Sequence, residues 1–145
     1  MSSPFDSWLF WALLSAVFAA LTAIFAKIGV ADIDSDFATL IRTVVIVVVL
    51  AGIVVTLGKV RPLDTISAKT WTFLVLSGLA TGASWLAYFR ALKLGQAAEV
   101  APIDKLSVVL VAIFGVLFLG EKLTPQSWLG VALIAAGAVT LAWRI

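Results

Sequence analysis

Residues 101–123 read APIDKLSVVLVAIFGVLFLGEKL, an oily run with Asp104 and Lys105 set several residues inside it. An ionised side chain at membrane depth costs about 2.5–3.5 kcal/mol on insertion scales, so it is kept where it faces protein or a wet cavity. Lys27, Arg42, Arg90 and Glu99 hold comparable positions in other apolar runs or earlier in this one. Arginine offers a forked donor for a carboxylate or phosphate, and a carboxylate can hold a cationic group or a proton. Neighbours on a helix point about 100° apart, so Asp104 and Lys105 are expected to find partners on other helices, or water, instead of each other. The chain has no Cys and no His. A thiol nucleophile, a thiolate metal site and a histidine base are therefore excluded. Glu99 and Asp104 are not a catalytic pair by spacing alone. No catalytic residue, metal ligand set or cofactor is expected, and the chain does not read as an enzyme.

The elements that must carry these charges follow from composition. Of 145 residues, 63% are hydrophobic and 12% charged, where a soluble domain is nearer half and a quarter. The net charge is +2 without any contiguous basic run, which argues against nucleic acid as a partner. Apolar runs recur at 7–29, 37–57, 71–92, 97–119 and 127–143. About 20 apolar residues cross the hydrocarbon as a helix, so an all-α bundle of five membrane-spanning helices is expected, one domain over 1–145. The links ADIDSD, GKVRPLDTISAKT, KLGQ and GEKLTPQ are short. Asp6, not a basic residue, flanks the first run, which reads as a span and not a cleaved leader. Thr124-Pro125 reads as an N-cap followed by proline at the first helical position.

Five spans put the chain's two ends on opposite sides of the membrane. Lys59, Arg61, Lys69 and Lys122 fall on the N-terminal side, and Lys93 and Arg144 on the other. The basic bias makes the N-terminal side cytoplasmic but vanishes if Lys27 and Arg90 count opposite, so insertion both ways is open. Trp8, Trp11, Trp71, Trp128 and Trp143 fall at span ends as interfacial anchors. All six buried-run charges lie toward the C-terminal side. Two readings stand: a polar vestibule with surplus positive charge suited to an anionic solute, or Lys27 and Arg90 snorkelling to Asp32, Asp34 and Asp36 around an internal network of Arg42, Asp104 and Lys105.

Smaller residues fall in stripes. Ser77, Thr81, Ser84 and Tyr88 recur at helical spacing beside Gly78 and Gly82, which serves packing or lines a cavity. Trp85 and Tyr88 lie away from the interfacial belt and either stack on a ligand or simply face lipid or fill core. Pro102 opens a gap in the fourth span's backbone ladder, which either marks a site, as such breaks do in transporters, or is a proline tolerated in the first turns of a helix without a function. Ala12, Ala16, Ala19, Ala23 and Ala26 form a helix-contact face. Gly130 and Gly137 mark the fifth span as the choice for a subunit contact.

The block from Tyr88 to Val139 resembles the closing half of an EamA domain of the drug/metabolite transporter superfamily. The resemblance rests on Ala91-Leu92, the alanines before Pro102, LFLGEKLT at 117–124, and Gly130 with Gly137. FAKIG at 25–29 and Arg42 extend it over nearly the whole chain. It implies a transporter of small molecules, without a cofactor, embedded in lipid in a bacterial or archaeal plasma membrane. Full-size members carry two such domains in inverted orientation, whereas one is present here. The resemblance to the short five-span branch implies an antiparallel homodimer with the path between copies. The membrane-embedded acid that small multidrug-resistance relatives use in their first span is absent between Trp8 and Ile28. Proton or ion coupling then falls to Glu99 or Asp104. Glu121 of the Gly-Glu turn is expected to be structural, near the N-terminus of the fifth helix.

The expectation is a secondary transporter, an exporter of a small polar metabolite or drug-like solute, working by alternating access. Arg42, Arg90 and Lys105 would attract an anionic group, Asp104 a cation or proton, and Trp85 and Tyr88 would shape the pocket. The alternatives are a subunit of a lipid-linked sugar translocase, needing a different partner chain, and a non-transporting membrane scaffold in which the charges set helix registry.

Overall fold

A computed structural model describes residues 7–143, which form helices joined by short links, with no strand among them. In chain order these are α1 (Trp8–Gly29), α2 (Ser35–Thr56), a 3-10 turn (Leu63–Thr65), α3 (Ala68–Leu94), α4 (Ala97–Asp104), α5 (Ser107–Leu119) and α6 (Pro125–Ala142). Counting α4 and α5 as one run, five helical stretches are long and apolar enough to cross a membrane. The expected all-α five-span architecture is what the chain adopts.

Local chemistry sets the boundaries. Asp34 caps α2, its carboxylate accepting from the N–H groups of Asp36 and Phe37 at 2.9 and 3.0 Å. Thr124 caps α6 by accepting from the Ser127 N–H at 3.1 Å, with Pro125 at the first helical position, as the sequence indicates. Hydropathy alone starts the third span at Trp71, but the helix begins at Ala68. The Ser67 hydroxyl accepts from the Thr70 N–H at 3.1 Å, so a cap lying outside the apolar run fixes the start. At the far end of α2, Gly58 takes φ 61 and the Lys59 N–H reaches back to the Val54 carbonyl at 3.0 Å, a glycine-terminated helix end.

α2 holds the run TVVIVVVLAGIVVT. Branching at Cβ lowers helix propensity. In hydrocarbon, where nothing else can bond the backbone, the ladder within the helix decides the conformation against that preference.

The fourth span departs from the single helix expected over 97–119. It breaks after Asp104, and Lys105 and Leu106 lie between α4 and α5. Pro102 removes one donor from the ladder. Three residues on, the pattern tightens: the Lys105 N–H lies 3.1 Å from the Pro102 carbonyl, and those of Leu106, Val108 and Val109 reach carbonyls three residues back at 3.0 Å. Such i to i+3 bonding inside a helix marks a hinge or strain.

The described residues divide into two compact units: Ala26–Lys93, and residues 7–25 together with 94–143. In the second, α6 packs on α4 and α5, turning Ala138 inward while Gly137 stays exposed. In the first, the buried residues are Ala26, Val30, Ser35, Ala38, Thr39, Phe89 and Leu92. They gather where α1 stops, α2 starts and α3 stops. Small residues permit close approach there. Thr39 returns its hydroxyl to the Ser35 carbonyl at 2.8 Å, so burial leaves it satisfied.

Candidate functional site

Arg42 is the seventh residue after Ser35, about 10 Å along α2 at 1.5 Å per residue. Trp85 and Phe89 stand four apart on α3 and so share a face. The Arg42 guanidinium carbon lies 4.1 Å from the Trp85 ring centroid and 5.5 Å from that of Phe89, within cation–π range. Among the described residues, no carboxylate lies within ion-pair distance of Arg42. Each cation–π contact is worth about 0.5–2 kcal/mol, depending on solvation. Two of them offset part of the cost of a charge at this depth, but ring faces are not acceptors for the fork of N–H donors. Tyr88 is half-buried one residue before Phe89.

The remaining cations of this unit are engaged differently. Arg90 grips Asp36 with both arms, Nε to Oδ1 at 2.9 Å and Nη2 to Oδ2 at 2.5 Å. Lys27 Nζ donates to the Leu92 carbonyl at 2.6 Å, and Lys93 donates to the Ile33 carbonyl. Together these bonds clasp the α1–α2 link to the end of α3. Of the partners that the snorkelling reading named, Arg90 meets Asp36, while Lys27 donates to a carbonyl and Asp34 caps α2. The Arg90–Asp36 side chains remain 60% and 45% exposed, and exposed pairs are held weakly.

Glu99, Asp104 and Lys105 belong to the other unit. Lys105 Nζ pairs with Asp104 Oδ2 at 3.0 Å, contrary to the expectation that adjacent residues diverge too far to meet. The divergence applies within a continuous helix. Here α4 ends at Asp104, and a flexible four-carbon stem bridges the break. Glu99 is half-buried in the first turn of α4.

Three features escaped the sequence reading. Phe89 was foreshadowed by its place four residues after Trp85. Asp36 stood among the acids of the link but was not singled out as the partner of Arg90. The third is Gly115: a Cβ built there would stand 2.5 Å from Glu121 Oε2, and the Glu121 N–H donates to the Gly115 carbonyl at 3.0 Å. Glu121 therefore folds back on α5, where the expectation looked forward to the fifth span. Gly120, at φ 69, makes that turn. Trp8, Trp11, Trp71, Trp128 and Trp143 are all exposed at or near helix ends.

Among the described residues, five helical stretches long and apolar enough to cross a membrane define a multi-pass membrane protein. The chain belongs to the EamA-like transporter family, whose model matches residues 6–143. It is 73% identical over 137 residues to an uncharacterized transporter from the cobO 3′ region of Sinorhizobium sp., covering 94% of this chain and 97% of that one. An uncharacterized protein of Methanocaldococcus jannaschii is 26% identical over 136 residues, covering 94% and 96%. A probable 4-amino-4-deoxy-L-arabinose-phosphoundecaprenol flippase subunit, ArnE, of Yersinia pestis is 32% identical over 76 residues, covering 52% of this chain and 67% of the relative. No solved structure matches. Transporter-named relatives point to a role other than catalysis.

Proposed function

We propose that the chain is a secondary transporter, an exporter of a small polar metabolite or drug-like solute across a bacterial or archaeal plasma membrane, acting by alternating access as an antiparallel homodimer. The family supplies the class. The observation that supports a solute site is Arg42, set within a span and backed by Trp85 and Phe89 in place of a carboxylate. Tyr88 borders it in sequence and completes the aromatic wall. Arg90 reaches solute by exchanging partners, since a solute anion can displace Asp36 from an ion pair that is partly exposed; Lys105, paired with Asp104 in the other unit, is a separate proposed solute contact. Asp104 or Glu99 takes the coupling proton or ion. An odd number of spans makes a second copy in the opposite orientation the source of the inverted repeat. The exposed Gly137 edge of α6 is the contact we assign to that copy.

The absence of native cysteine allows a direct test. A single cysteine placed at Lys122 is labelled with an impermeant maleimide on intact cells, and the purified chain alone is assayed for solute counterflow in vesicles. Labelling of about half the molecules, with counterflow by the lone chain, is the expected result for two equally populated orientations. One-sided labelling with flux only beside a second copurifying protein overturns the homodimer and favours the second reading, a flippase subunit. That reading is supported by the ArnE match, which spans 52% of this chain.

A further inference from the structure

The cations set in or beside the spans are not equivalent at rest. Arg90 spends both arms on Asp36, Lys27 donates to the Leu92 carbonyl, and Lys105 pairs with Asp104. Arg42 alone among these is met by ring faces at 4.1 and 5.5 Å. Among the described residues no oxygen accepts a hydrogen bond from it. A guanidinium has five N–H donors arranged as a fork in its plane, matched to the two oxygens of a carboxylate. The rings occupy space above and beside the cation without using that fork.

The site therefore combines one positive charge, an unused planar fork and an apolar aromatic wall. Charge count then selects the ligand. A single uncommitted cation balances a monoanion. A phosphomonoester, with about two negative charges near neutrality, needs a second cation and so requires breaking an ion pair such as Arg90–Asp36 first. The wall of Trp85 and Phe89 adds preference for an apolar body behind the anionic head, because indole and phenyl faces offer dispersion and stacking. We infer that the site takes an amphiphilic monocarboxylate, its carboxylate bound by the Arg42 fork and its apolar part lying against Trp85 and Phe89. This inference rests on the transport reading and names its substrate class.

The test uses three probes of one shape: benzoate, phenyl phosphate and benzylammonium. Each is titrated into the purified full-length chain in lipid nanodiscs by calorimetry, with thermal shift alongside. Benzoate is expected to bind saturably and more tightly than phenyl phosphate, with no binding of benzylammonium. Arg42→Lys keeps charge but loses the fork, and is expected to weaken benzoate by at least about tenfold. Trp85→Ala is expected to weaken it several-fold, whereas Arg61→Gln in the exposed α2–α3 link leaves it unchanged. Monodisperse elution and an unchanged helical circular dichroism signal establish that each variant is folded. Tighter binding of phenyl phosphate, binding of benzylammonium, equal affinity in Arg42→Lys, or no binding of any probe each overturns the inference. Counterflow of radiolabelled benzoate and of a mixed pool of small polar metabolites in proteoliposomes separates the two claims. Arg42-dependent benzoate binding with no flux of any solute leaves the carboxylate site standing and removes the transport reading, while metabolite flux without benzoate binding removes the carboxylate site and leaves the transport reading standing.

Discussion

The two units handle charge inside spans in opposite ways. In Ala26–Lys93, partners come from distant parts of the chain: Arg90 and Asp36 are 54 positions apart, and Lys27 and Leu92 are 65 apart. In the other unit, Asp104 is met by its immediate neighbour. The difference lies in the backbone. α2 and α3 run unbroken past their charges, so each cation must look to another element. The fourth span stops at Asp104, and the break brings two adjacent side chains together. A charge in an intact helix reports on tertiary structure, whereas a charge at a break reports on local geometry.

That contrast is open to attack. The largest effect is expected from Lys105→Met, which leaves Asp104 without its neighbour and removes a proposed solute contact. Flux in reconstituted vesicles should fall to background while insertion and dimerisation persist, and unchanged flux strikes Lys105 from the site. Asp36→Asn tests the long-range side. Arg90 loses its charged partner, and hydrogen exchange in the 30–36 link should rise several-fold, with a smaller gap from wild type at high salt, where exposed pairs are screened. Unchanged exchange there means the clasp holds through Lys27 and Lys93 alone. The smallest effect belongs to Gly115→Ala. The new methyl meets only the Glu121 carboxylate tip, which can swing aside, and alanine favours the helix by about 1 kcal/mol over glycine. Stability should therefore move by no more than about 1 kcal/mol in a detergent melt; a larger loss would mean that Glu121 is fixed by more than this contact.

Much of the architecture was legible because hydropathy and caps are local signals. The five spans and the Thr124-Pro125 start of α6 follow from residues close together in sequence. Where the boundary depended on a polar cap outside the apolar run, as at Ser67, hydropathy placed it late. The break after Asp104 was half legible: Pro102 was noted, yet the tightening appears three residues beyond it. Within the candidate site, Arg42 and Trp85 were both identified, and α2 and α3 bring them together. Which anion each cation meets was not readable. That depends on how helix ends dock, and Asp32, Asp34 and Asp36 compete within one link. Asp34 is removed by its capping role, and of the two that remain Arg90 meets Asp36.

The valine-rich α2 carries a consequence for handling. Its branched residues prefer extended chain and are kept helical by surroundings that forbid other backbone partners. Strip away detergent and that constraint goes with it. The same residues then form a ready segment for intermolecular β-sheet, so fibrous precipitate seeded from 43–56 is the failure to watch for during reconstitution.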